Sequence, residues 1–256
     1  MAFVESIATQ ARRLETALNQ ALLRLQSGTD AEALHDLRIN LRRVRSLLRP
    51  LRGASGVARL DSAAAGLGKL TTPVRDLEVL IAELARHQLD WQANVRKTEL
   101  QNRYASLVSE PLLLSFPPLL RAWPNALLKT RRRHLKRRLR QRLRRQVQQL
   151  ARALADPDYD RHRLRLLVKR VRYVADAYPS LSPIAPAAAA SLKAAQSALG
   201  DWHDRFVWCQ LAEHQQDLWP LLPHWQSARD AALKEAERAL ASLSPALKSA
   251  AHHNTD

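Results

Sequence analysis

The sequence predicts an all-α protein made of two duplicated helical halves, and three observations carry that expectation. Only six glycines occur in 256 residues, of which 46% are apolar. Ala, Leu, Arg and Gln, which lose little rotamer freedom in a helix, are abundant, and β-branched residues are few. A basic segment beginning at His35 recurs at His162, 127 residues on.

Apolar residues at helical spacing place a first helix over 2–26, through Phe3, Ile7, Leu14, Leu18, Leu22 and Leu25, with Gly28 as its stop. Thr29 and Glu32 form a capping box for a second helix that runs to about Arg52. Gly53, Ser55 and Gly56 mark a turn, and a third helix reaches about Leu70. Thr72 and Pro73 look like the cap and first position of a fourth, ending near Gln88, and a fifth covers 90–109. Pro111, Pro117, Pro118 and Pro124 break the pattern over 110–125, where a hinge is expected between half-repeats of about 1–110 and 125–244. Helices resume at about 126–155, 159–178, 186–199, 201–217 and 224–242. The stretch 245–256, with His252 and His253, reads as a flexible tail on a single domain spanning 1–250.

The repeat reads H-x-L-R-x-x-[LV]-[RK]-R-V-R, and its spacing has a physical meaning. His35, Arg38, Arg42, Arg45 and Arg49 step by 3, 4, 3, 4 and share one helix stripe, beside Leu37, Leu41, Val44, Leu48 and Leu51 on the next. The second half repeats this with His162, Arg165, Lys169 and Arg172 beside Leu164, Val168, Val171 and Ala175, and Asp176 stands where the first half has Arg49. A second pair follows in the same order: Val74-Arg75-Asp76 and Trp202-His203-Asp204. Two ordered copies imply halves related by a pseudo-twofold axis, which would let both cationic rows line one cleft. Like charges a turn apart repel by a few tenths of a kcal/mol per pair, so nothing in folding asks for such a row.

Forty-one Lys and Arg against 24 Asp and Glu give +17, a field that attracts polyanions. Residues 129–152 alone hold twelve Lys and Arg and no acid. Cys209 is the only cysteine, which excludes an internal disulfide and a cysteine-built zinc site and suits a reducing cytoplasm. No secretory signal opens the chain, and the longest apolar run, Pro111 to Leu120, holds three prolines and is about half the ~20 residues of a membrane span. A soluble cytoplasmic protein, without membrane insertion, is expected.

Three rival readings are weaker. A nucleic-acid-binding basic helix would share the phosphate contacts but lacks the interleaved aromatics that stack single-stranded bases. Glu32 and His35 have metal-ligand spacing, yet Tyr159 replaces the carboxylate in the second half. A phosphate-ester or triphosphate hydrolase is suggested by His203-Asp204, whose counterpart Arg75-Asp76 keeps only the acid, and there is no Gly-rich phosphate loop. The expectation is therefore no metal, no cofactor and no catalysis.

At these residues the sequence resembles the CHAD family of helical domains named for recurrent histidines. The two basic motifs sit as His35-x-x-Arg38-x-x-x-Arg42-Arg43-x-Arg45 and His162-x-x-Arg165-x-x-x-Lys169-Arg170-x-Arg172-Tyr173. Val74-Arg75-Asp76-Leu77-Glu78-Val79 and Leu199-Gly200-Asp201-Trp202-His203-Asp204 are similar to the family's other stretches, with Thr71-Thr72 as a departure where the second half has Leu199-Gly200. The resemblance covers roughly 5–240 and implies two helical bundles around a basic central cavity that binds inorganic polyphosphate without turnover, with association to polyphosphate granules. No E-x-E-x-K signature of a triphosphate tunnel is present, so the chain resembles a stand-alone member. On this reading Arg38, Arg42, Arg45 and Arg49, with Arg165, Lys169 and Arg172, hold successive phosphates, headed by His35 and His162. Arg13, Arg133, Arg137 and Arg140 widen the groove, Arg43 and Arg170, about a third of a turn off the stripe, reach a side wall or an Asp, and Asp76 and Asp204 orient arginines.

Overall fold

The computed structural model describes residues 2–28, 30, 32–128 and 134–252, and the elements among them are all helical, with no strand. They gather into two compact units, Met1–Lys136 and Arg137–Asp256.

The first unit contains α1 (Ala2–Ser27), α2 (Ala33–Leu48) with a 3-10 turn at Arg49–Leu51, α3 (Val57–Arg86), α4 (Asp90–Val108) and α5 (Pro111–Leu128). α1 packs on α2 and α5, while α3 packs on α2, α4 and α5. Of the capping box expected at α2, Thr29 lies outside the described residues, and Glu32 makes no side-chain cap bond. Asp30 serves instead: its carboxylate accepts the Glu32 backbone N–H at 2.8 Å and pairs with Arg24.

Two expected interruptions are absent. Where Thr72 and Pro73 were to open a new helix, α3 runs on without a break. Its buried stripe of Leu60, Ala64, Leu67, Thr71, Val74 and Leu77 crosses Pro73, whose ring is exposed, so packing outweighs the one N–H that proline withholds. The Thr71 and Thr72 hydroxyls donate back to the Leu67 and Gly68 carbonyls at 2.8 and 2.7 Å, so both threonines are compatible with helix. The expected hinge at 110–125 is helix α5. Pro111 takes the first helical position, where a missing N–H costs nothing, and Leu113, Phe116, Leu120, Trp123 and Leu127 step by 3, 4, 3, 4 into the core. The approach to α3 is close, since a Cβ on Gly66 would stand 3.0 Å from Leu112 Cδ2.

The second unit contains α6 (Leu135–Ala155, its first two residues preceding the boundary), α7 (Arg161–Ala177), α8 (Pro186–His214) and α9 (Leu222–His252), with 3-10 turns at Pro179–Leu181 and Gln216–Leu221. Asp160 caps α7, its side chain accepting from the Arg163 N–H at 2.8 Å. α8 packs on α7 and α9. Leu150 of α6, Leu164, Val168 and Val171 of α7, Leu192, Leu199 and Trp202 of α8, and Leu240 and Leu243 of α9 form one core. The separate helices expected on either side of Gly200 are the single helix α8. A helical glycine costs roughly 1 kcal/mol, which burial of Leu199 and Trp202 beside it outweighs. α9 likewise passes its expected end near 242, burying Leu243 and Leu247.

If α5 is a packed helix rather than a hinge, Phe116→Ala leaves a cavity and lowers unfolding stability by about 3–5 kcal/mol. Leu114→Ala, two residues earlier but half exposed, changes it by less than about 0.5 kcal/mol. Denaturant unfolding of both variants checks this, and equal small effects would contradict the packing.

Candidate anion-binding site

α2 sends Leu34, Leu37, Leu41, Val44 and Leu48 into the core, and the neighbouring stripe of His35, Arg38, Arg42, Arg45 and Arg49 is half-buried. α3 faces part of that row. Arg38 Nη1 donates to the Thr71 and Thr72 hydroxyls at 2.9 and 3.0 Å. At the other end Asp61, buried on α3, gathers three guanidinium groups: Arg45 Nε at 3.2 Å, Arg52 Nη2 at 3.1 Å and Arg49 Nε at 3.7 Å. Arg75 of α3 pairs with Glu78 at 3.0 Å, and Tyr104 of α4 donates its hydroxyl to Glu78.

α7 repeats the arrangement with different partners. Leu164, Leu167, Val168, Val171 and Val174 are buried, and His162, Arg165, Lys169 and Arg172 stand half-buried beside them. His162 and His203 of α8 bring their Nδ1 atoms to 3.2 Å, so one nitrogen donates and the other accepts. The His162 ring also lies 4.6 Å from both the Trp202 and Phe206 rings. Arg172 donates Nε to Gln196 Oε1 at 2.5 Å, lies 3.6 Å from Asp176 and stacks 4.6 Å over Tyr173.

The remaining expected site residues lie off these stripes or outside the described residues. Arg43 and Arg13 are exposed, Arg170 is half-buried, and Arg137 and Arg140 are exposed on α6. Arg133 falls outside the described residues. Asp76 and Asp204 are both exposed, and Asp76 acts on Arg38; a further carboxylate, Asp61, which sequence reasoning passed over, holds the far end of the row of α2. A signal was available: Asp61 is an acid on the apolar stripe Val57-Leu60-Ala64-Leu67, a place where an acid needs a cationic partner. Among the described residues no three His, Cys, Asp or Glu side chains converge as metal ligands, and no helix is long and apolar enough to cross a membrane.

A family model of the CHAD domain matches residues 8–213. The chain belongs to the CHAD family. Its fold is similar to that of the CHAD domain from the plant Ricinus communis, with a TM-score of 0.68 at 21% identity over 96% of this chain and 91% of the other. PptA from Streptomyces chartreusis is also similar, with a TM-score of 0.64 at 17% identity over 92% of this chain and 98% of that one. No curated protein matches by sequence.

In this CHAD chain the electrostatics of the two rows follow from burial and like charge. Burial, then the neighbouring Arg42 and Arg75, hold the Arg38 guanidinium below its usual range, with Asp76 offsetting part. Burial and Arg75 likewise lower His35. In the second unit burial, Arg165, His162 and Lys169 push His203 down to about 4. Position 75 and its repeat 203 thus both act near the histidine that heads the row: Arg75 lowers His35, and His203 hydrogen-bonds His162 at 3.2 Å.

His203 should make stability depend on pH. Its folded value lies below the ~6.5 of an unfolded chain, so between these values the unfolded state binds the extra proton and stability falls as pH drops from about 6.5 toward 4. After allowance for solvent screening of a half-buried ring the loss is of order 1–2 kcal/mol. Denaturation midpoints against pH should show that slope in the wild type and a flatter profile in His203→Gln. Identical profiles would mean that the ring titrates normally.

Proposed function

We propose that this CHAD protein binds inorganic polyphosphate through the rows on α2 and α7, without turning it over. The observation that carries the proposal is that added positive charge is disfavoured at both rows: Arg38 and His35 within the first, and His203 of α8 beside the second, are shifted against protonation by burial and neighbouring cations. An anion laid along the row would relieve this, because each phosphate supplies the negative charge that the local sequence withholds. Family membership points to the same ligand.

The mechanism is charge-assisted hydrogen bonding. Arg38, Arg42, Arg45 and Arg49 in one unit, and Arg165, Lys169 and Arg172 in the other, present donors at intervals of a helical turn, about 5.4 Å, to successive phosphates of an unbranched chain. Asp61 and Gln196 hold Arg45 and Arg172 by their Nε atoms, at 3.2 and 2.5 Å, and thereby fix where these guanidinium planes point. Arginine, which makes up most of both rows, stays protonated near neutral pH and is a poor general acid or base, which suits binding without hydrolysis. Selectivity would then rest on the density of phosphate charge rather than on any base or sugar contact.

Arg42→Ala with Lys169→Ala should remove most polyphosphate binding while helicity stays unchanged, since neither residue belongs to the buried stripes. Anisotropy titration with labelled long-chain polyphosphate checks this. A folded double variant that binds as the wild type does would dismiss the rows as the site.

The salt dependence should also be steep. Each phosphate neutralised releases counterions, so at about −0.7 per contact on a log–log plot, six or more contacts give roughly −4 or steeper. A slope near −1 would correspond to one or two contacts and would not fit an extended row.

A further inference from the structure

The second unit carries another cationic surface, which the row of α7 does not use. α6 holds eight Lys and Arg and no acid, almost half of the chain's net charge of +17. Its buried side is narrow, made by Leu139, Leu143, Leu150 and Ala153. At ~100° per residue, Arg137, Arg138, Arg140, Arg144, Arg145 and Arg152 fan over roughly 160° of the opposite side, and all six are exposed. Among the described residues Arg137, Arg140, Arg144, Arg145 and Arg152 have no ion-pair partner. Folding does not require this charge. α1, which the repeat sets against α6 in the sequence, is a longer helix with three Arg and two Glu.

We infer that the outer face of α6 docks in the major groove of duplex DNA, gripping phosphates of both strands without reading sequence. Charge density fits. Five cations of that face, Arg137, Arg138, Arg140, Arg144 and Arg145, fall over roughly 12 Å of helix axis, or about one per 2.4 Å, against one phosphate per ~1.7 Å of duplex. Shape fits as well, since a helix about 10–12 Å across enters a B-form major groove about 12 Å wide. The width of the arc separates this partner from a second strand of polyphosphate: one thin chain can touch only a line of the cations, whereas a groove has a phosphate wall on either side. α6 contains no aromatic residue on which unpaired bases could stack, and the deep, narrow major groove of A-form RNA would not admit it.

The inference is independent of the polyphosphate proposal and is tested beside it. The intact protein is titrated with a labelled mixed-sequence duplex of roughly 20 base pairs, about two helical turns. Arg144→Gln with Arg145→Gln and Arg152→Gln should weaken duplex binding at least about tenfold and flatten the log–log salt slope by about 2.7, at 0.9 per lost contact. The same triple variant should keep wild-type helicity and polyphosphate affinity, and the triple Lys variant at these positions should recover most of the binding. Arg42→Ala with Lys169→Ala should leave duplex binding intact, so loss of one activity does not entail loss of the other. The inference is overturned if the wild type does not bind the duplex or the Gln variant binds it unchanged. It also fails if single strands of equal phosphate content bind as tightly, or if polyphosphate and duplex exclude one another, which would mean a single shared surface.

Discussion

Everything at the two rows depends on leucine and valine side chains one stripe away from the charges. Each row sets like charges a helical turn apart, a repulsion of a few tenths of a kcal/mol per pair that grows as water is excluded. Leu37, Leu41, Val44 and Leu48 in one helix, and Leu164, Val168 and Val171 in the other, are almost fully buried and contribute about 1.5–3 kcal/mol each. The apolar stripe therefore wins by several-fold, and the helices can hold a charge pattern that they would not adopt for its own sake. The same register makes the half-buried state of the cations unavoidable: a stripe adjacent to the core is neither dry nor fully wet.

The two units then solve the placement of their cations differently. α3 opposes the first row with acids, Asp61 at the end of Arg45, Arg49 and Arg52, and Glu78 beside Arg75. A single carboxylate cannot neutralise three guanidinium groups, so Asp61 aims them while leaving the cluster net positive. Burial raises Glu78 above the usual carboxylate range and Arg75 pulls it back, so this acid sits on the edge of the row as a weakened counter-charge. α8 opposes the second row with rings and an amide: Trp202, Phe206, His203 and Gln196. The rings position His162 through packing, and Asp176 stands beside Arg172 at the far end of the row.

Much of this was legible in the sequence, because the pattern that specifies the rows is local. Steps of 3 and 4 between His35 and Arg49 fix which residues share a stripe on any α-helix, whatever the helix packs against. What escaped was information held between elements. Asp61 lies sixteen residues from Arg45, and only the antiparallel packing of α2 and α3 brings them together. Thr72-Pro73, Gly200 and the prolines of 110–125 carry strong local stop signals, yet α3, α8 and α5 continue through them. In each case the apolar stripe keeps its register on both sides of the breaker, so ending the helix would expose more surface than the lost hydrogen bond or the glycine entropy is worth. Asking whether the stripe continues beyond a proline would have been a better guide than the proline itself.

Repetition of the rows together with divergence of what faces them separates what the fold needs from what the ligand site needs. Were the cations only a solvated surface, the position that faces the leading histidine would be free to hold any residue. It holds Arg75 in one unit and His203 in the other, and both disfavour a proton on the neighbouring histidine or on themselves. Arginine does so by adding a fixed charge. Histidine does so because the ring is enclosed by Arg165, Lys169 and His162, and it keeps the option of becoming charged when an anion arrives. Under the proposed function both units can add positive charge as an anion binds, the first through His35 and the second through His203.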